Sequence, residues 1–272
     1  MRPMEQRTIL VTGATDGLGR ALAADLAERG ATVLLHGRDD ERGRATMAEI
    51  RARVPEARLH WYRADLASLA EVRELAAAVA AAHGGLDTLV NNAGIGATVP
   101  GGPARQESAD GHELRFAVNY LSGYLLTRLL LPVLKAAAPA MIVNVSSLGQ
   151  SPIDFDDVML LKGYSGGRAY TQSKLAQIMF TVDLAEELAG TGVTANALHP
   201  ATYMPTKMVT AAPLSELREG VEATSRLVTD PELDEVSGRF YDGLRPARAL
   251  EQAYDPEARA RLRALSRELT GC

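Results

Sequence analysis

The sequence has little cysteine, no excess of positive charge and no uninterrupted apolar run of membrane-spanning length. Its one cysteine, Cys272, excludes an internal disulfide framework and any zinc site built from cysteines, and it is consistent with a reducing compartment. The formal net charge of −5 over 272 residues gives no indication of a nucleic-acid or anionic-membrane partner. We therefore expect a small molecule, and neither nucleic acid nor a membrane, as the partner.

Apolar stretches are short or interrupted. The first residues, MRPMEQR, lead directly into a predicted strand without an apolar stretch of signal-peptide length. The most apolar segment, YLLTRLLLPVL, contains Arg128 and Pro132, which we take to exclude a membrane-spanning helix. We expect a cytoplasmic protein.

Short β-branched or apolar runs alternate with longer segments rich in alanine and leucine. The predicted strands are 8–12, 32–36, 58–62, 88–91, 141–146 and 193–198, and the predicted helices are 18–29, 41–53, 68–83, 111–136 and 168–189. This alternation predicts an α/β protein with a single-domain Rossmann fold, in which a doubly wound parallel sheet carries helices on both faces. The domain would span residues 1–272, with a substrate flap at about 200–238 and a C-terminal extension at 239–272.

Local signals mark helix ends and irregular segments. SLAE, from Ser68 to Glu71, has the pattern of a capping box, and Asp255 before Pro256 predicts the start of a C-terminal amphipathic helix. Three irregular segments (94–111, 147–167 and 200–238) follow predicted strands. Because ligands bind beyond the carboxyl ends of strands in open α/β sheets, these segments are expected to form the substrate region.

The first predicted strand continues into TGATDGLG, with glycines at positions 13, 17 and 19. Glycines at such a turn let the backbone approach a pyrophosphate, which the N-terminus of the next helix then binds. The spacing differs from the commonest dinucleotide pattern, and a plain glycine-rich turn is the alternative. Its position in the first βα unit favours the dinucleotide.

The end of the second predicted strand, VLLHGRD, bears on the type of cofactor. NAD-binding proteins usually place an acidic residue at the position that Gly37 occupies here, whereas an arginine accommodates the 2′-phosphate of NADP. Arg38 follows, so NADP(H) is favoured over NAD(H). The alternative is a surface arginine that pairs with Asp39.

Tyr170 and Lys174 of YTQSK lie four residues apart on one face of a predicted helix. A nearby cation lowers the pKa of a phenol, so Lys174 is placed to make Tyr170 a proton donor and acceptor, although such a pair also occurs by chance. The serines of VSS could polarise a carbonyl at a strand end. Asn119 within a helix needs a hydrogen-bonding reason if it is buried, and is otherwise an exposed or bent position.

These motifs, together with NNAG at 91–94, follow one another in an order that resembles the short-chain dehydrogenase/reductase family over residues 8–200. The long insert before Tyr170 and the segment GVTANALHP are similar to the retinol-dehydrogenase-like and WW-domain-oxidoreductase-like branch. The resemblance implies that Tyr170 is the general acid or base and that Lys174 lowers its pKa and binds the nicotinamide ribose. It also implies that Ser147 orients the carbonyl and that Asn119 holds a relay water. Ser146 would have a lesser role, and the reverse assignment of the two serines stays open.

The resemblance also implies a set of binding residues. Cofactor contacts are expected from Gly13, Thr15, Asp16, Gly17, Leu18, Gly19, Arg38, Asp65, Leu66, Asn92, Ala93, Gly94, Tyr170, Lys174, Pro200 and Thr202. Substrate contacts are expected from Ser147, Tyr170 and Tyr203, and no metal is expected. Asp65 would contact the adenine or, alternatively, cap the next helix.

Ala201 departs from the family pattern, which has glycine after the His-Pro pair, so we expect altered loop geometry there. In relatives the helices predicted at 111–136 and 168–189 form a subunit interface, which implies a homodimer or homotetramer. Methionines and an aromatic residue in the flap suggest a hydrophobic substrate, and the alternative is that they hold the flap against the core. The expected function is NADP(H)-dependent interconversion of a carbonyl and an alcohol, and a non-catalytic NADP(H)-binding regulator is the alternative.

Overall fold

Eight strands form one sheet in the order β3-β2-β1-β4-β5-β6-β7-β8 in the computed structural model, which describes residues 1–98, 104–209 and 212–272. The strands are β1 Thr8–Val11, β2 Thr32–Gly37, β3 Leu59–Arg63, β4 Thr88–Asn91, β5 Ala140–Val145, β6 Val193–His199, β7 Phe240–Asp242 and β8 Arg245–Ala247. β1 to β7 pair in parallel and β8 is antiparallel at the edge. The order of the first six strands is that of the doubly wound dinucleotide-binding fold.

Helices cover both faces of this sheet. The α-helices are α1 Gly17–Glu28, α2 Asp40–Arg53, α3 Leu69–Ala82, α4 Ser122–Ala136, α5 Gly166–Glu187, α6 Leu217–Thr229 and α7 Pro256–Thr270, and a π-helical turn, Phe116–Leu121, leads into α4. Successive β1 residues point to opposite faces. Leu10 packs in the core that contains α3, α4 and α5, whereas Ile9 and Val11 pack in the core that contains α1 and α6. The predicted fold class is confirmed.

All six predicted strands and all five predicted helices are present, with ends that differ by a few residues. The largest difference is the predicted helix 111–136, which becomes helical only at Leu114 because Glu113 forms an isolated bridge with Glu107. The predicted C-terminal helix is confirmed as α7, capped by Asp255. The sequence analysis did not predict α6, β7 or β8. β7 and β8 have three residues each, too few to show a period. α6 has 13 residues and lies within the segment 200–238, which was expected to be an irregular flap.

The interpretation of the apolar segment around Arg128 and Pro132 needs a correction. Among the described residues, one helix, Phe116–Ala136, has the length and mean hydropathy (1.3) of a membrane-spanning segment. In the apolar 18-residue stretch of this helix, 67% is buried inside the fold. The apolar composition of this helix is therefore accounted for by packing in the core. Arg128 and Pro132 do not prevent the segment from having the length and hydropathy of a membrane-spanning helix.

Helix α7 packs across the outer faces of α4 and α5. The hydroxyl of Tyr120 hydrogen-bonds Ser266 Oγ (2.6 Å), Arg259 pairs with Glu186 (2.7 Å), and Arg263 pairs with Asp183. These contacts place α7 against both segments, 111–136 and 168–189, that were expected to form a subunit interface. The oligomer stays a prediction, and an assembly through this face would require α7 to move.

Candidate active site

The glycine turn between β1 and α1 is held by contacts from two neighbouring strands. Gly13 has φ +67°, and a Cβ there would lie 2.9 Å from Ala93 Cα. Asn92, beyond β4, donates its side-chain amide to Thr12 O (2.8 Å), and the Ala93 N–H donates to Thr12 Oγ1 (3.0 Å). A Cβ at Gly19 would lie 2.3 Å from Gly13 O, so α1 begins directly above the turn. The N–H groups that open α1 have no acceptor within the helix, which fits a pyrophosphate.

His36, which the sequence analysis missed, locks the same turn from β2. Its Nδ1 accepts from the Gly13 N–H (3.2 Å), so Nε2 carries the proton and donates to Ala64 O (3.1 Å). Burial lowers the pKa of His36 to about 4, against a weaker opposing effect of the hydrogen bond to Ala64, so the ring is neutral at pH 7. The available signal was a histidine at the end of an otherwise apolar strand.

The adenine end of the predicted cofactor site has no room for an acidic side chain at position 37. A Cβ on Gly37 would lie 2.8 Å from Trp61 Cη2 and 3.0 Å from Thr15 Cγ2. Arg38 is exposed and makes no hydrogen bond or ion pair with any described residue. Asp39 instead caps α2 by accepting from the N–H groups at 41 and 42, so the alternative pairing of Arg38 with Asp39 is not formed.

Arg42 lies beside the same end of the site. Its Nη2 donates to Asp16 Oδ2 (2.8 Å) and to Thr15 O (3.2 Å), and Lys207 also pairs with Asp16 (3.1 Å). Burial alone would raise the pKa of Asp16, but the hydrogen bonds from Arg42 and Lys207 outweigh it and lower the pKa. Asp16 also caps α1 by accepting from the Gly17 N–H (2.8 Å). The carboxylate is therefore committed to the turn.

Asp65 does not cap the helix that follows β3. Its Oδ1 accepts from Ala67 N (2.9 Å), while Ser68 is the N-cap and accepts from Glu71 N (3.3 Å). The predicted capping box is only half formed, because the Glu71 carboxylate accepts from the Asp65 N–H (2.9 Å) instead of the Ser68 N–H. Of the other expected cofactor contacts, Leu18 and Leu66 are buried in the cores.

Tyr170 and Ser147 lie together at the carboxyl end of β5. A Cβ on Gly149 would lie 3.4 Å from Ser147 Oγ and 3.8 Å from Tyr170 Cε1, so the two side chains are neighbours, and Ser147 Oγ accepts from the Gly149 N–H (3.0 Å). Ser146 Oγ donates to the backbone oxygen of Lys174 (2.7 Å), so its proton holds α5 against the strand end. This difference assigns the hydroxyl that faces Tyr170 to Ser147.

Lys174 is buried beside this pair. Its Nζ donates to Val145 O and to Gln177 Oε1, both at 2.9 Å, and lies 5.8 Å from the centroid of the Tyr170 ring. Burial lowers the pKa of Lys174 to about 7. Burial raises the pKa of Tyr170, and the Ser147 hydroxyl opposes the rise. That Lys174 lowers the pKa of Tyr170 stays a prediction.

Asn119 is buried in the π-helical turn, where its side chain is fully used. Oδ1 accepts from Ile95 N (2.8 Å), and Nδ2 donates to Ile95 O (3.1 Å) and to Ser173 Oγ (2.9 Å). A Cβ on Gly94 would lie 3.2 Å from Asn119 Oδ1 and 3.5 Å from Lys174 Nζ. The segment after β4 therefore lies against both predicted catalytic side chains, and π-helical turns are frequent at functional sites.

Comparisons with known proteins agree with this geometry. The family model for short chain dehydrogenase matches residues 7–216. The chain is 38% identical to retinol dehydrogenase 13 of Mus musculus, over 97% of this chain and 84% of that protein. It is 34% identical to retinol dehydrogenase 14 of Homo sapiens, over 98% and 87%. The chain belongs to the short-chain dehydrogenase family.

Solved structures superpose on this chain and have the same fold. An uncharacterised protein from Mycobacterium paratuberculosis superposes on this dehydrogenase with a TM-score of 0.79 and 31% identity, over 98% of this chain and 94% of the other. Pseudomonas aeruginosa RhlG, solved as an NADP active-site complex, superposes with a TM-score of 0.70 and 28% identity, over 89% and 97%. The family consists of oxidoreductases that use NAD(P). The identities to retinol dehydrogenases over most of the chain confirm the predicted retinol-dehydrogenase-like resemblance.

The flap of the dehydrogenase begins after β6 and crosses the glycine turn. Pro200 is buried, and Thr202 Oγ1 lies 3.0 Å from His199 Nε2. Tyr203 has φ +47° and is half exposed. Further along, a Cβ on Gly17 would lie 3.0 Å from Thr206 Cγ2. Residues 99–103, 210 and 211 of the expected substrate region lie outside the described residues.

Proposed function

We propose that this dehydrogenase interconverts a carbonyl and a primary or secondary alcohol on an apolar small molecule, with NADP(H) as cofactor and Tyr170 as general acid or base. The observation that carries the proposal is the position of Tyr170 beside Ser147 and next to the buried Lys174, whose Nζ lies 5.8 Å from the centroid of the Tyr170 ring. A hydroxyl pair at the carboxyl end of a central strand can bind one carbonyl oxygen and supply its proton.

Each residue of the site has a separate task. The Tyr170 hydroxyl gives its proton to the carbonyl oxygen during reduction and takes it back during alcohol oxidation. Ser147 orients and polarises that oxygen, and Lys174 supplies positive charge. When bound, the nicotinamide donates or accepts the hydride. Because the Asn119 side chain is committed to Ile95 and Ser173, a relay water held by Asn119 would bind at its backbone.

The test of the chemistry is Tyr170→Phe. Turnover of aldehydes and ketones with NADPH should fall by more than about 100-fold, since the proton donor is lost. NADPH affinity should be unchanged when it is followed through Trp61, the one tryptophan, which lies against Gly37. Tyr62→Phe, which removes only the hydrogen bond to His83 (2.8 Å), is the matched control. Full turnover by Tyr170→Phe would refute the assignment, and NADPH binding without turnover by the wild type would favour a regulator.

Three features support NADP(H) over NAD(H). Trp61 and Thr15 fill the space that an acidic residue at position 37 would need, so the carboxylate that repels a 2′-phosphate is excluded. Arg38 has no partner among the described residues, and its guanidinium is exposed beside this position. Solved neighbours include NADP complexes.

Arg38→Ala tests this preference. Loss of a charge-assisted arginine–phosphate contact of about 2 kcal/mol would weaken NADPH roughly 30-fold, while NADH binding should hardly change. Arg44→Ala is the matched control, because Arg44 is an exposed arginine of α2 that follows Arg38 by six residues along the chain. Equal losses of NADPH and NADH affinity would contradict the phosphate assignment.

The apolar substrate is inferred from exposed apolar side chains in the segments that are expected to form the substrate region. Leu148 is 46% exposed, Tyr203 51% and Met208 37%, and a Cβ on Gly96 would lie 2.8 Å from Met208 Cγ. These side chains gain a favourable environment when an apolar molecule covers them. The names of the relatives, retinol dehydrogenases, agree with an apolar alcohol or aldehyde, so a series of straight-chain aldehydes should show kcat/KM rising with chain length.

A further inference from the structure

Arg115 is a buried cation to which neither the fold nor the proposed chemistry assigns a task. Its side chain is 2% exposed and its ion-pair partner Glu113 is 1% exposed, with 3.5 Å between Arg115 Nη1 and Glu113 Oε1. Burying such a pair is costly unless the remaining donors and acceptors are satisfied. The acceptors that satisfy Arg115 therefore indicate what the arginine holds in place.

Two of those acceptors lie in the segment that follows β4. Arg115 Nε donates to Gly96 O (2.8 Å) and Nη2 donates to Ala97 O (2.7 Å). One helical turn further on, Asn119 binds both the N–H and the carbonyl of Ile95. Three consecutive backbone residues, 95 to 97, are thus fixed by two side chains of the helical segment that leads into α4.

The third acceptor lies in the insert that precedes the helix carrying Tyr170. Arg115 Nη1 donates to the Tyr164 hydroxyl, which in turn donates to Glu113 Oε1 (3.2 Å). The other oxygen of Glu113 accepts from the Phe116 N–H (2.7 Å) and so holds the start of the π-helical turn. The cluster of Arg115, Glu113 and Tyr164 consequently connects the segment 95–97, the π-helical turn and the insert.

The first residue of α5 is in direct contact with the same cluster. A Cβ on Gly166 would lie 2.1 Å from Ala97 O and 2.9 Å from Arg115 Nη2, so the backbone of α5 touches the segment 95–97 there. Gly166 precedes Tyr170 by about one turn of helix. Whatever sets the distance between Ala97 and Gly166 therefore sets the position of Tyr170 relative to the segment that borders Lys174.

We infer that Arg115 is a positioning residue that joins the segment 95–97 to the amino-terminal end of α5 and so places Tyr170 against the substrate carbonyl. The inference rests on the proposed function, since it concerns the same proton transfer. Loss of Arg115 should lower kcat. It should leave NADPH affinity unchanged, because the guanidinium makes none of the contacts that hold the glycine turn. A displacement of the proton donor of about 1 Å can cost roughly 100-fold in rate.

The test compares paired neutral substitutions with a matched control. In Glu113→Gln/Arg115→Gln both charges are removed together, so no unpaired ion is left in the core. The control is Arg128→Gln, which removes the arginine that joins α4 to the other end of α5 through Glu187 (2.6 Å). Measurements are kcat and KM for an aldehyde at saturating NADPH, NADPH affinity through Trp61 fluorescence, and the unfolding midpoint.

The double variant should lose roughly 10- to 100-fold in kcat with NADPH affinity unchanged, whereas Arg128→Gln should keep its kcat. A purely structural role would lower the unfolding midpoint and leave kcat of the folded fraction unchanged, which would overturn the inference. If the double variant does not fold, Tyr164→Phe takes its place, because it removes only the hydroxyl that Arg115 and Glu113 share. That variant should show a smaller loss of kcat in the same direction, and an unchanged kcat would count against the inference.

A wild type that reduces none of the aldehydes would refute the proposed function but not the connection itself. In that case amide hydrogen exchange of residues 95–97 and 166–170 tests whether Arg115 connects the two segments. The double variant, or Tyr164→Phe in its place, should exchange faster than wild type in both segments, while Arg128→Gln should not. Unchanged exchange in both segments would overturn the inference independently of activity.

Discussion

Lys174 is a buried cation that has no carboxylate partner among the residues that the structure describes. Its ammonium is bound by two neutral oxygens, Val145 O and Gln177 Oε1, and burial lowers its pKa to about 7. Lys174 therefore loses its charge close to neutral pH. Above that pH the phenolate of Tyr170 is less stabilised, so Tyr170 becomes a weaker acid and carbonyl reduction should slow.

Gln177→Glu tests whether Gln177 governs this titration. A carboxylate in place of the neutral amide oxygen stabilises the charged form of Lys174 and raises its pKa, so the alkaline decline of kcat should move to higher pH. Gln177→Leu removes the acceptor and should move the decline to lower pH. The pH dependence of kcat with saturating NADPH is the measurement, and coincident profiles for the three proteins would contradict the prediction.

His36 makes the stability of the protein depend on pH. Its folded-state pKa of about 4 lies below the unfolded value of about 6.5, so the folded protein binds fewer protons between these values. Stability from His36 is therefore complete above the unfolded value and is lost as pH falls towards 4, by roughly 3 kcal/mol in total. His36→Gln should have a lower free energy of unfolding than wild type near neutral pH. In urea titrations this difference should shrink as pH falls from about 6.5 to about 4. A constant difference would show that His36 does not titrate in this way.

At the scale of elements, the π-helical turn Phe116–Leu121 is what brings Asn119 to the segment after β4. In a regular helix the side chains repeat at 3.6 residues per turn, and the wider turn rotates Asn119 relative to the residues of α4 that follow. The N-terminus of the neighbouring helix α3 is held by Ser68, which accepts from the Glu71 N–H, and by Asp110, which accepts from the Leu69 N–H (2.9 Å), while the Glu71 carboxylate binds the Asp65 N–H.

Ser68→Ala should therefore lower the free energy of unfolding by about 1 kcal/mol, the usual value of an N-cap hydrogen bond. Activity and NADPH affinity should be unchanged, since Asp65 keeps its bonds to Ala67 and Glu71. Chemical denaturation and steady-state kinetics check both parts. A selective loss of NADPH affinity would mean that the cap, and not the Asp65–Glu71 contact, holds the end of β3.

At the scale of the whole molecule, α7 closes the aromatic layer formed by residues of the π-helical turn, α4 and α5. Tyr124 and Phe180 have ring centroids 5.0 Å apart, and a cavity between these helices and α7 is lined by Asp183, Arg259 and Arg263 as well. The charged pairs at its rim orient α7 on this surface.

Arg259→Glu/Arg263→Glu tests this role by placing like charges opposite Glu186 and Asp183. The reversed charges should loosen α7, expose apolar surface, lower the unfolding midpoint and increase the mass in light scattering relative to wild type. Arg261→Glu is a milder control, since Arg261 meets Asp156 at 3.6 Å on the exposed side. An unchanged midpoint and mass would show that α7 is not required to cover this face.

The sheet, the glycine turn and the tyrosine–lysine pair could be predicted because each depends on local pattern. An apolar run such as β5 has to be buried on both faces, and residues 170 and 174 share a helix face whatever surrounds them. The cap at Asp255 is likewise a matter of a few adjacent residues.

Only the tertiary structure decided which of several equivalent groups meet. Ser146 binds the backbone of Lys174, which distinguishes it from Ser147. Asp39 caps α2, so Arg38 stays exposed. His36 and Arg115 bind backbone atoms of Gly13 and Gly96, which are 23 and 19 residues away in sequence. The tertiary structure also buries Tyr170, which raises the pKa of the phenol, an effect that spacing along a helix does not reveal. These outcomes depend on burial and on hydrogen bonds between segments distant along the chain, so the order of residues determines the chemical groups, and packing determines their partners and charge.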